Sequence, residues 1–363
     1  MPRIVKSSAP IRVCDNGGWT DTWFARYGRV FNIAVYPYAE VQMLVREHRG
    51  DARRITIHAE NYGQTYTIAD PNGIYDKHPL LEAAIDYMRV PDDVAIEVSI
   101  FSEAPSGCST GTSAAVSVAL IGALDCLTPG RLSPHEAAAA AQKIETELLH
   151  QQCGIQDQIA SAYGGINYIE MHDYPRSTVS QIRVPDSLWW ELESRLSLIF
   201  VGQTHSSSEV HSMVIRELED AGPEAPKLRP LRLTAAKSKD ALYAGDFGAL
   251  GRAMIENTEA QAALHPALVG PDHQRIIEIA KAYGADGWKV NGAGGAGGSV
   301  SILSGPDAAR KRAMLREIRQ ADSKYRDIPI YLSRFGLRVW ESRHDSLLPV
   351  DGEPGRKAAA GSR

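Results

Sequence analysis

A run of small residues that leads directly into an apolar stretch constrains this chain more than any other feature. The run is Pro105-Ser-Gly-Cys-Ser-Thr-Gly-Thr-Ser-Ala-Ala115; β-branched residues 94–101 precede it and an apolar stretch, 113–127, follows it. Glycine lets backbone N–H groups approach an anion closely, and a helix N-terminus adds partial positive charge. The pattern therefore predicts a strand, a phosphate-binding loop and a helix. Because no Gly-Lys-Ser/Thr follows the glycines, the loop differs from the P-loop.

Composition is typical of a globular protein and excludes several functional classes. The chain has 363 residues, 44% of them hydrophobic and 23% charged, which favours about two domains. A net charge of −5 argues against nucleic-acid and membrane partners. Residues 1–5 lead into polar residues without an apolar core, so we expect no signal peptide. The four cysteines show no pairing motif, which favours reduced thiols in a cytoplasmic protein.

Strand and helix patterns follow one another without strict alternation, which favours an α+β fold in both halves. Ser133 and Glu136 form a capping box for a helix that runs to about His150, and Gln156–Tyr163 forms a short helix. We interpret the polar segment His172–Pro185 as a loop and as the domain boundary. Further predictions are strands at Pro329–Arg334 and Leu337–Glu341 and a disordered tail at 347–363.

A second candidate for chemistry lies near the N-terminus, where a short strand ends in a Gly-Gly turn. Arg12 offers a planar cationic fork for a phosphate or carboxylate. Asp21, on the turn, can accept hydrogen bonds from substrate hydroxyl groups. An ordinary turn with a capping aspartate is the alternative interpretation.

Two carboxylates, Glu145 and Asp157, form a third candidate. A helical carboxylate beside a phosphate loop suits Mg²⁺, which prefers hard oxygen ligands. Asp157 begins a short helix, where it could act as a base or orient a substrate hydroxyl. Helical periodicity does not choose between Glu145 and Glu147, because both flank the same apolar stripe. A solvated helix face and a helix N-cap are the alternatives for Glu145 and Asp157.

A second glycine run, Asn291–Gly298, follows Lys289. Its bulky apolar flanks indicate a tight turn between packed elements rather than a linker. His205 and His211, in and after a cluster of serines, are candidates to face a polar ligand. A serine N-cap that opens the next helix explains the same cluster equally well.

These segments together resemble the GHMP small-molecule kinases, which include galactokinase, homoserine kinase, mevalonate kinase and phosphomevalonate kinase. The family's three motifs are matched in order by 105–115, by Gly154-Ile-Gln-Asp-Gln158 with Tyr163-Gly-Gly165, and by 289–298. Ala9-Pro-x-Arg12 followed by Gly17-Gly-Trp-Thr-Asp21 is similar to sugar kinases of the D-glycero-D-manno-heptose 7-phosphate kinase and L-fucokinase type.

The resemblance implies a two-domain α+β architecture. Residues 1–185 would form an ATP-binding domain like ribosomal protein S5 domain 2, and residues 186–346 a ferredoxin-like domain. The implied activity is transfer of the ATP γ-phosphoryl group to a sugar hydroxyl, namely the anomeric hydroxyl of a heptose, deoxysugar or related polyol. ATP and Mg²⁺ are the implied cofactors. A kinase of a non-sugar alcohol or cyclitol and a catalytically silent sensor are the alternatives. A sugar or polyol is the implied partner, and a homodimer is an open alternative to a monomer.

The resemblance also implies roles for individual residues. Asp157 would be the base or orienting carboxylate, and Arg12 would stabilise the transferring charge. Ser113 and Glu145 would hold Mg²⁺, and Asp21 would bind sugar hydroxyls. The residues that would wrap the ATP phosphates are Pro105, Ser106, Gly107, Cys108, Ser109, Thr110, Gly111, Thr112 and Ser113. The other residues that would contact the sugar are Gly18, Thr20, Asp157, His205 and Gly294.

This chain departs from the family pattern at a few positions. Ser109-Thr110 replace Gly-Leu in the loop, and Ala296 replaces a frequent glycine. His205 stands where heptose-type kinases commonly place an arginine that would meet a substrate phosphate. The departure favours a neutral sugar, deoxysugar or cyclitol as the substrate.

Overall fold

The computed structural model describes residues 3–50, 54–202 and 208–342. The strands of this part are β1 (Arg3–Asn16), β2 (Gly28–Glu47), β3 (Ile55–Ala59), β4 (Gln64–Ile68), β5 (Val94–Ser102), β6 (Ile166–Asp173), β7 (Arg176–Gln181), β8 (Leu196–Phe200), β9 (Gly287–Val290), β10 (Ser299–Leu303), β11 (Arg326–Ile328) and β12 (Arg338–Ser342). Its α-helices are α1 (Pro79–Met88), α2 (Thr112–Asp125), α3 (Pro134–Lys143), α4 (Gln156–Tyr163), α5 (Asp186–Arg195), α6 (Ser208–Ala221), α7 (Leu228–Ala244), α8 (Phe247–Leu264), α9 (Pro271–Ala282) and α10 (Ala308–Ala321).

The first sheet has eight strands and is organised around β2, which is 20 residues long. Its main path runs β12-β1-β2-β5-β3-β4, while β6 pairs with the first part of β2 and β7 with β6. Helix α2 packs against β1, β2 and helices α1, α3 and α4. Its small side chains allow this close approach on every side, because an alanine-rich helix presents little bulk. The glycine run at its N-terminus is therefore held between the sheet and these helices.

The second sheet is antiparallel, in the order β11-β8-β10-β9. Its core contains Ile199, Val290 and Ile302, against which the apolar side chains of α9 and α10 pack. Strand β12 then returns to the first sheet and pairs with β1. The division of the chain near residue 185 stays a prediction.

The α+β class is confirmed, and α4 has the predicted bounds. The prediction of a loop at 172–185 is wrong, because β7 lies within it and forms a hairpin with β6. Strand β7 is an edge strand with polar, largely exposed side chains, so it has no hydrophobic period to detect. The strand predicted at 329–334 is also displaced, since β11 ends at Ile328. The tail predicted at 347–363 lies outside the described residues.

All four cysteines carry free thiols, as predicted. Burial raises the pKa of the Cys108 thiol in the glycine loop, so this thiol is neutral and fills space. Within the described ranges, no helix combines the length and the apolar character needed to cross a membrane.

Candidate active site

Two cavities meet between the two sheets. The larger, of about 1060 Å³, is bordered by the first glycine run, the start of α1 and residues of β8 and β11. The smaller, of about 230 Å³, lies between the turn after β1, the start of α4 and helix α6. The residues that line both cavities are Arg12, Ser113, Asp157, Gly292 and Ala293. Segments far apart in the sequence therefore converge on one continuous cleft.

The first glycine run forms the floor of the larger cavity. Gly111 is the N-cap of α2 with a φ of 72°, a left-handed conformation that favours glycine. A Cβ atom at Gly111 would lie 3.1 Å from Cγ of Asp157, so a larger residue would also press on the Asp157 side chain. The hydroxyl of Ser299 donates to the carbonyl of Cys108 at 2.6 Å and ties the loop to β10. All nine residues predicted to bind ATP line this cavity.

Arg12 and Asp157 form an ion pair at the junction of the cavities. Nε of Arg12 lies 2.8 Å from Oδ1 of Asp157, and Nη2 lies 3.2 Å from Oδ2. Arg12 also donates to the carbonyl of Ser109. Burial acts to lower the pKa of Arg12, but the charges of Asp157 and Asp15 outweigh it and raise that pKa. The Arg12 side chain is 4% exposed and that of Asp157 29% exposed, so the carboxylate is the member of the pair that a ligand can reach.

Asp15 and Lys289 form a buried ion pair next to Arg12. The sequence analysis named Lys289 but did not predict this pair. Nζ of Lys289 lies 3.3 Å from Oδ1 of Asp15, and both side chains are 1% exposed. Nζ also donates to Oε1 of Gln261 at 2.9 Å, while Oδ2 of Asp15 accepts from the backbone N–H of Gly292 at 3.0 Å. Burial opposes ionisation of Asp15, yet the charges of Lys289 and Arg12 lower its pKa. The pair joins β1 to the second glycine run.

Asp21 lies at the start of α4. Its Oδ2 atom accepts hydrogen bonds from the backbone N–H groups of Ile155 and Gln156 at 2.9 and 3.0 Å. A Cβ atom at Gly154 would lie 2.1 Å from the same oxygen, so glycine is needed there for Asp21 to approach. Burial raises the pKa of Asp21 to about 6, and the negative charge of Asp157 adds to the effect. Asp21 therefore caps the N-terminus of α4, which is distant from it in the sequence, and it also lines the smaller cavity.

Glu145 lies in the wall of the smaller cavity and Glu147 does not. The residues after α3 form a π-helical turn, Ile144–Leu148, which changes the helical register. Glu145 is buried in the wall of the smaller cavity and accepts from Nε2 of Gln158 at 2.7 Å, whereas Glu147 is exposed. Burial raises the pKa of Glu145 to about 7.

Three predicted sugar contacts lie away from the walls of both cavities: Gly18, Thr20 and Gly294. The Thr20 hydroxyl donates to the carbonyl of Gly17 at 2.7 Å. A Cβ atom at Gly294 would lie 2.0 Å from the carbonyl oxygen of Leu268, which indicates backbone packing. These three roles stay predictions, and His205 lies outside the described residues.

Sequence reasoning also missed the apolar wall of the smaller cavity, apart from naming His211. Its members are Trp19, Trp23, Phe24, His211 and Ile215. The rings of Trp19 and His211 lie 5.0 Å apart between centroids. Three aromatic residues within six positions after the Gly-Gly turn were the available signal.

Comparisons with known proteins agree with this geometry. The family model of the GHMP kinases N-terminal domain matches residues 79–165, and that of the GHMP kinases C-terminal domain matches residues 238–322. A D-glycero-alpha-D-manno-heptose 7-phosphate kinase of Campylobacter jejuni is 24% identical, over 93% of this chain and 99% of its own length. A mevalonate kinase of Pyrococcus furiosus is 30% identical, over 69% of this chain and 70% of its own length.

A solved structure shares the fold. The crystal structure of a D-glycero-D-manno-heptose 1-phosphate kinase from Bacteroides thetaiotaomicron superposes with a TM-score of 0.72 at 23% identity, covering 93% of this chain and 99% of that one. The matched N-terminal segment contains the glycine loop, Glu145 and Asp157, and the C-terminal one contains Lys289 and its glycine run. The predicted family and two-domain α+β architecture are confirmed, and the chain belongs to the GHMP kinase family.

Proposed function

We propose that this protein is an ATP-dependent kinase that transfers the γ-phosphoryl group to the anomeric hydroxyl of a neutral sugar or related polyol. The observation that carries the proposal is the meeting of two cavities at Asp157 and Arg12. A phosphoryl donor in the larger cavity and an acceptor in the smaller one would have their reacting atoms side by side there. Such positioning removes much of the entropic barrier to a reaction between two bound molecules.

The larger cavity suits ATP. Its volume of about 1060 Å³ is slightly above the usual range for small-molecule sites, which leaves room for a nucleotide. The first backbone N–H groups of α2 have no partner within the helix, and the helix dipole places partial positive charge at the same point. No acidic side chain occupies the first turn of α2. The loop and helix N-terminus therefore favour a bound phosphate chain.

The residues beside the loop fit Mg²⁺. Ser113 and Glu145 both line the smaller cavity, and a hydroxyl with one carboxylate is a hard oxygen donor set. In the described residues, no group of three His, Cys, Asp or Glu side chains could hold a metal unaided. This suits Mg²⁺, which binds through one or two protein ligands and substrate phosphates. When bound, the ion would neutralise phosphate charge.

Asp157 and Arg12 would do complementary work in the transfer. As the acceptor oxygen forms a bond to the γ-phosphorus, the bond from that phosphorus to the β,γ-bridging oxygen breaks, and the proton of the acceptor hydroxyl passes to a carboxylate oxygen of Asp157. ADP carries away the bonding electrons. Arg12 holds Asp157 in place and provides positive charge beside the transferring group. An anomeric hydroxyl suits a carboxylate base because it is more acidic than an ordinary alcohol.

The charge of the smaller cavity supports a neutral acceptor. Its wall contains four carboxylates, Asp15, Asp21, Glu145 and Asp157, whereas Arg12 is the single arginine or lysine among its described lining residues. Lys289 and Arg12 offset the charges of Asp15 and Asp157. Asp21 and Glu145 form no ion pair among the described residues, so their charges disfavour a sugar phosphate or a carboxylate such as mevalonate. Carboxylates accept hydrogen bonds from hydroxyl groups, and an aromatic wall packs against the apolar face of a sugar.

Location and assembly belong to the same proposal. Four free thiols support a reducing, cytoplasmic compartment. The homodimer stays a prediction, which sedimentation velocity of the purified chain would test.

A substrate panel tests the proposed function. ADP release would be measured with Mg-ATP and free hexoses, deoxysugars, heptoses, cyclitols, sugar phosphates and mevalonate, with Asp157→Asn as the control. We expect turnover with a neutral sugar, and phosphorus NMR of the product should show an anomeric phosphate. Turnover confined to sugar phosphates or mevalonate would contradict the neutral acceptor. ATP and sugar binding without turnover would support the silent sensor instead.

A further inference from the structure

Few basic side chains among the described residues of the larger cavity could bind the phosphates of ATP. The cavity's described lining residues include three basic side chains, Arg12, His78 and Arg326, and no lysine. Arg12 is engaged by Asp157 and by the carbonyl of Ser109. Nε2 of His78 lies 2.9 Å from Oε1 of Gln64. The loop itself has no lysine. Most of the charge of bound ATP would therefore remain unbalanced on the protein side if Arg326 did not contribute.

Arg326 lies where its positive charge can balance part of the phosphate charge. It begins β11, an edge strand of the second sheet, where it pairs with Phe200 of β8. Its side chain is exposed, and its guanidinium lies 5.0 Å from the centroid of the Phe200 ring. Among the described residues it makes no ion pair within 4.0 Å. Arg326 and residues 105–113 of the glycine loop line the same cavity.

We propose that Arg326 binds the phosphate groups of the nucleotide from the second sheet, opposite the glycine loop. The inference rests on the proposed function, since it takes the larger cavity as the ATP site. A guanidinium presents its N–H groups in a planar fork that matches phosphate oxygens, and contact with Phe200 restricts its orientation.

The location of Arg326 has a structural consequence. The glycine loop follows β5 of the first sheet, whereas Arg326 belongs to the second sheet. A phosphate chain held by both would link the two sheets across the cleft. Nucleotides that carry phosphates should therefore stabilise the whole chain more than adenosine does, and loss of Arg326 should reduce this difference.

Equilibrium binding tests the proposal. Adenosine, Mg-ADP and Mg-ATP would be titrated by calorimetry into the wild type, Arg326→Gln and Arg326→Lys. We expect Arg326→Gln to weaken Mg-ATP about ten- to hundredfold, the usual effect of losing hydrogen bonds to a charged group. Adenosine affinity should not change, and Arg326→Lys should recover part of the loss because it keeps the charge.

Arg316→Gln is the matched control, because Arg316 is exposed on α10 and lines neither cavity. It should leave all three affinities unchanged. Unchanged Mg-ATP affinity in Arg326→Gln would overturn the inference. An equal loss of adenosine affinity would also overturn it, because it would indicate that Arg326 acts only by packing on Phe200. If the wild type binds no Mg-ATP, the proposed function itself fails. Melting temperatures with and without Mg-ATP show whether each variant is folded and whether the added stabilisation is reduced.

Discussion

Arg12 and Asp157 contact each other through two pairs of atoms, Nε to Oδ1 at 2.8 Å and Nη2 to Oδ2 at 3.2 Å. The two residues come from β1 and α4, and both line the two cavities. A guanidinium that holds both carboxylate oxygens fixes the plane of the carboxylate. Asp157 is therefore oriented before any ligand binds.

Asp157→Asn should lower kcat by about 10²- to 10⁴-fold, the usual contribution of a positioned acid or base. The amide cannot take up the proton of the substrate hydroxyl, so turnover falls. Because the amide keeps the shape of the side chain, ATP affinity should be nearly unchanged. Steady-state kinetics and nucleotide titration measure the two effects. Asp173→Asn is the control, since Asp173 pairs with Arg26 on the surface at 3.2 Å. Near-normal turnover of the Asp157 variant would remove this residue from the chemistry.

The Asp15–Lys289 pair should be important for stability. Lys289→Met leaves a buried carboxylate without its nearest cation, and breaking a buried pair in this way costs about 3–5 kcal/mol of unfolding free energy. Asp15→Asn should also destabilise, and the double variant should recover part of the combined loss, because it leaves no unpaired charge between these positions.

Urea unfolding of the four proteins measures this coupling. Lys237→Met is the control, since Lys237 and Glu256 form an exposed pair at 2.6 Å, which should contribute less than about 1 kcal/mol. Strictly additive losses in the double variant would show that Asp15 and Lys289 do not depend on each other.

Glu145 should make stability depend on pH in the absence of Mg²⁺. Its pKa rises from 4.5 to about 7 on folding because the side chain is buried. A group whose folded pKa is the higher one stabilises the fold below its unfolded pKa, and that contribution is lost as pH rises through the folded value. Glu145→Gln should therefore become more stable than the wild type between about pH 4.5 and 7, by a few kcal/mol at most.

Thermal melting across this range checks the sign, with Glu147→Gln as the control because Glu147 is exposed. Asp21, whose pKa is also raised, titrates in both proteins and cancels in the difference. Mg²⁺ should raise the melting temperature of the wild type more than that of Glu145→Gln. Identical pH profiles of the two glutamate variants would contradict the assignment.

Gly154→Ala should damage the acceptor side alone. The new Cβ atom would lie 2.1 Å from Oδ2 of Asp21, so the carboxylate must leave the N–H groups of Ile155 and Gln156. We expect KM for the sugar to rise about tenfold or more, from loss of hydrogen bonds to a charged group, with ATP affinity unchanged. Gly248→Ala, on α8 with 3.3 Å to its nearest neighbour, is the control. An unchanged KM would show that Asp21 does not bind the acceptor.

Local chemistry made much of the site predictable from the sequence. An anion-binding loop can be predicted from glycines before an apolar helix alone, because it does not depend on residues far away in the sequence. The capping box predicted at Ser133 is also confirmed. The family motifs added Arg12 and Asp157, whose pairing the structure shows. The same reasoning did not detect β7, since an exposed edge strand has no buried face to impose a period.

Other features of the site depend on contacts between residues far apart along the chain. The burial of Glu145 rather than Glu147 depends on a π-helical turn and on the residues packed against it. Asp15 contacts Lys289, and Arg326 lines the same cavity as the glycine loop, although more than two hundred residues separate the members of each set. The loop, the helices and the family could be predicted from the amino-acid sequence, because these depend on backbone conformation and local spacing. The charge balance of the cleft required the fold, because burial and electrostatic interaction depend on distances in space that no spacing along the chain specifies.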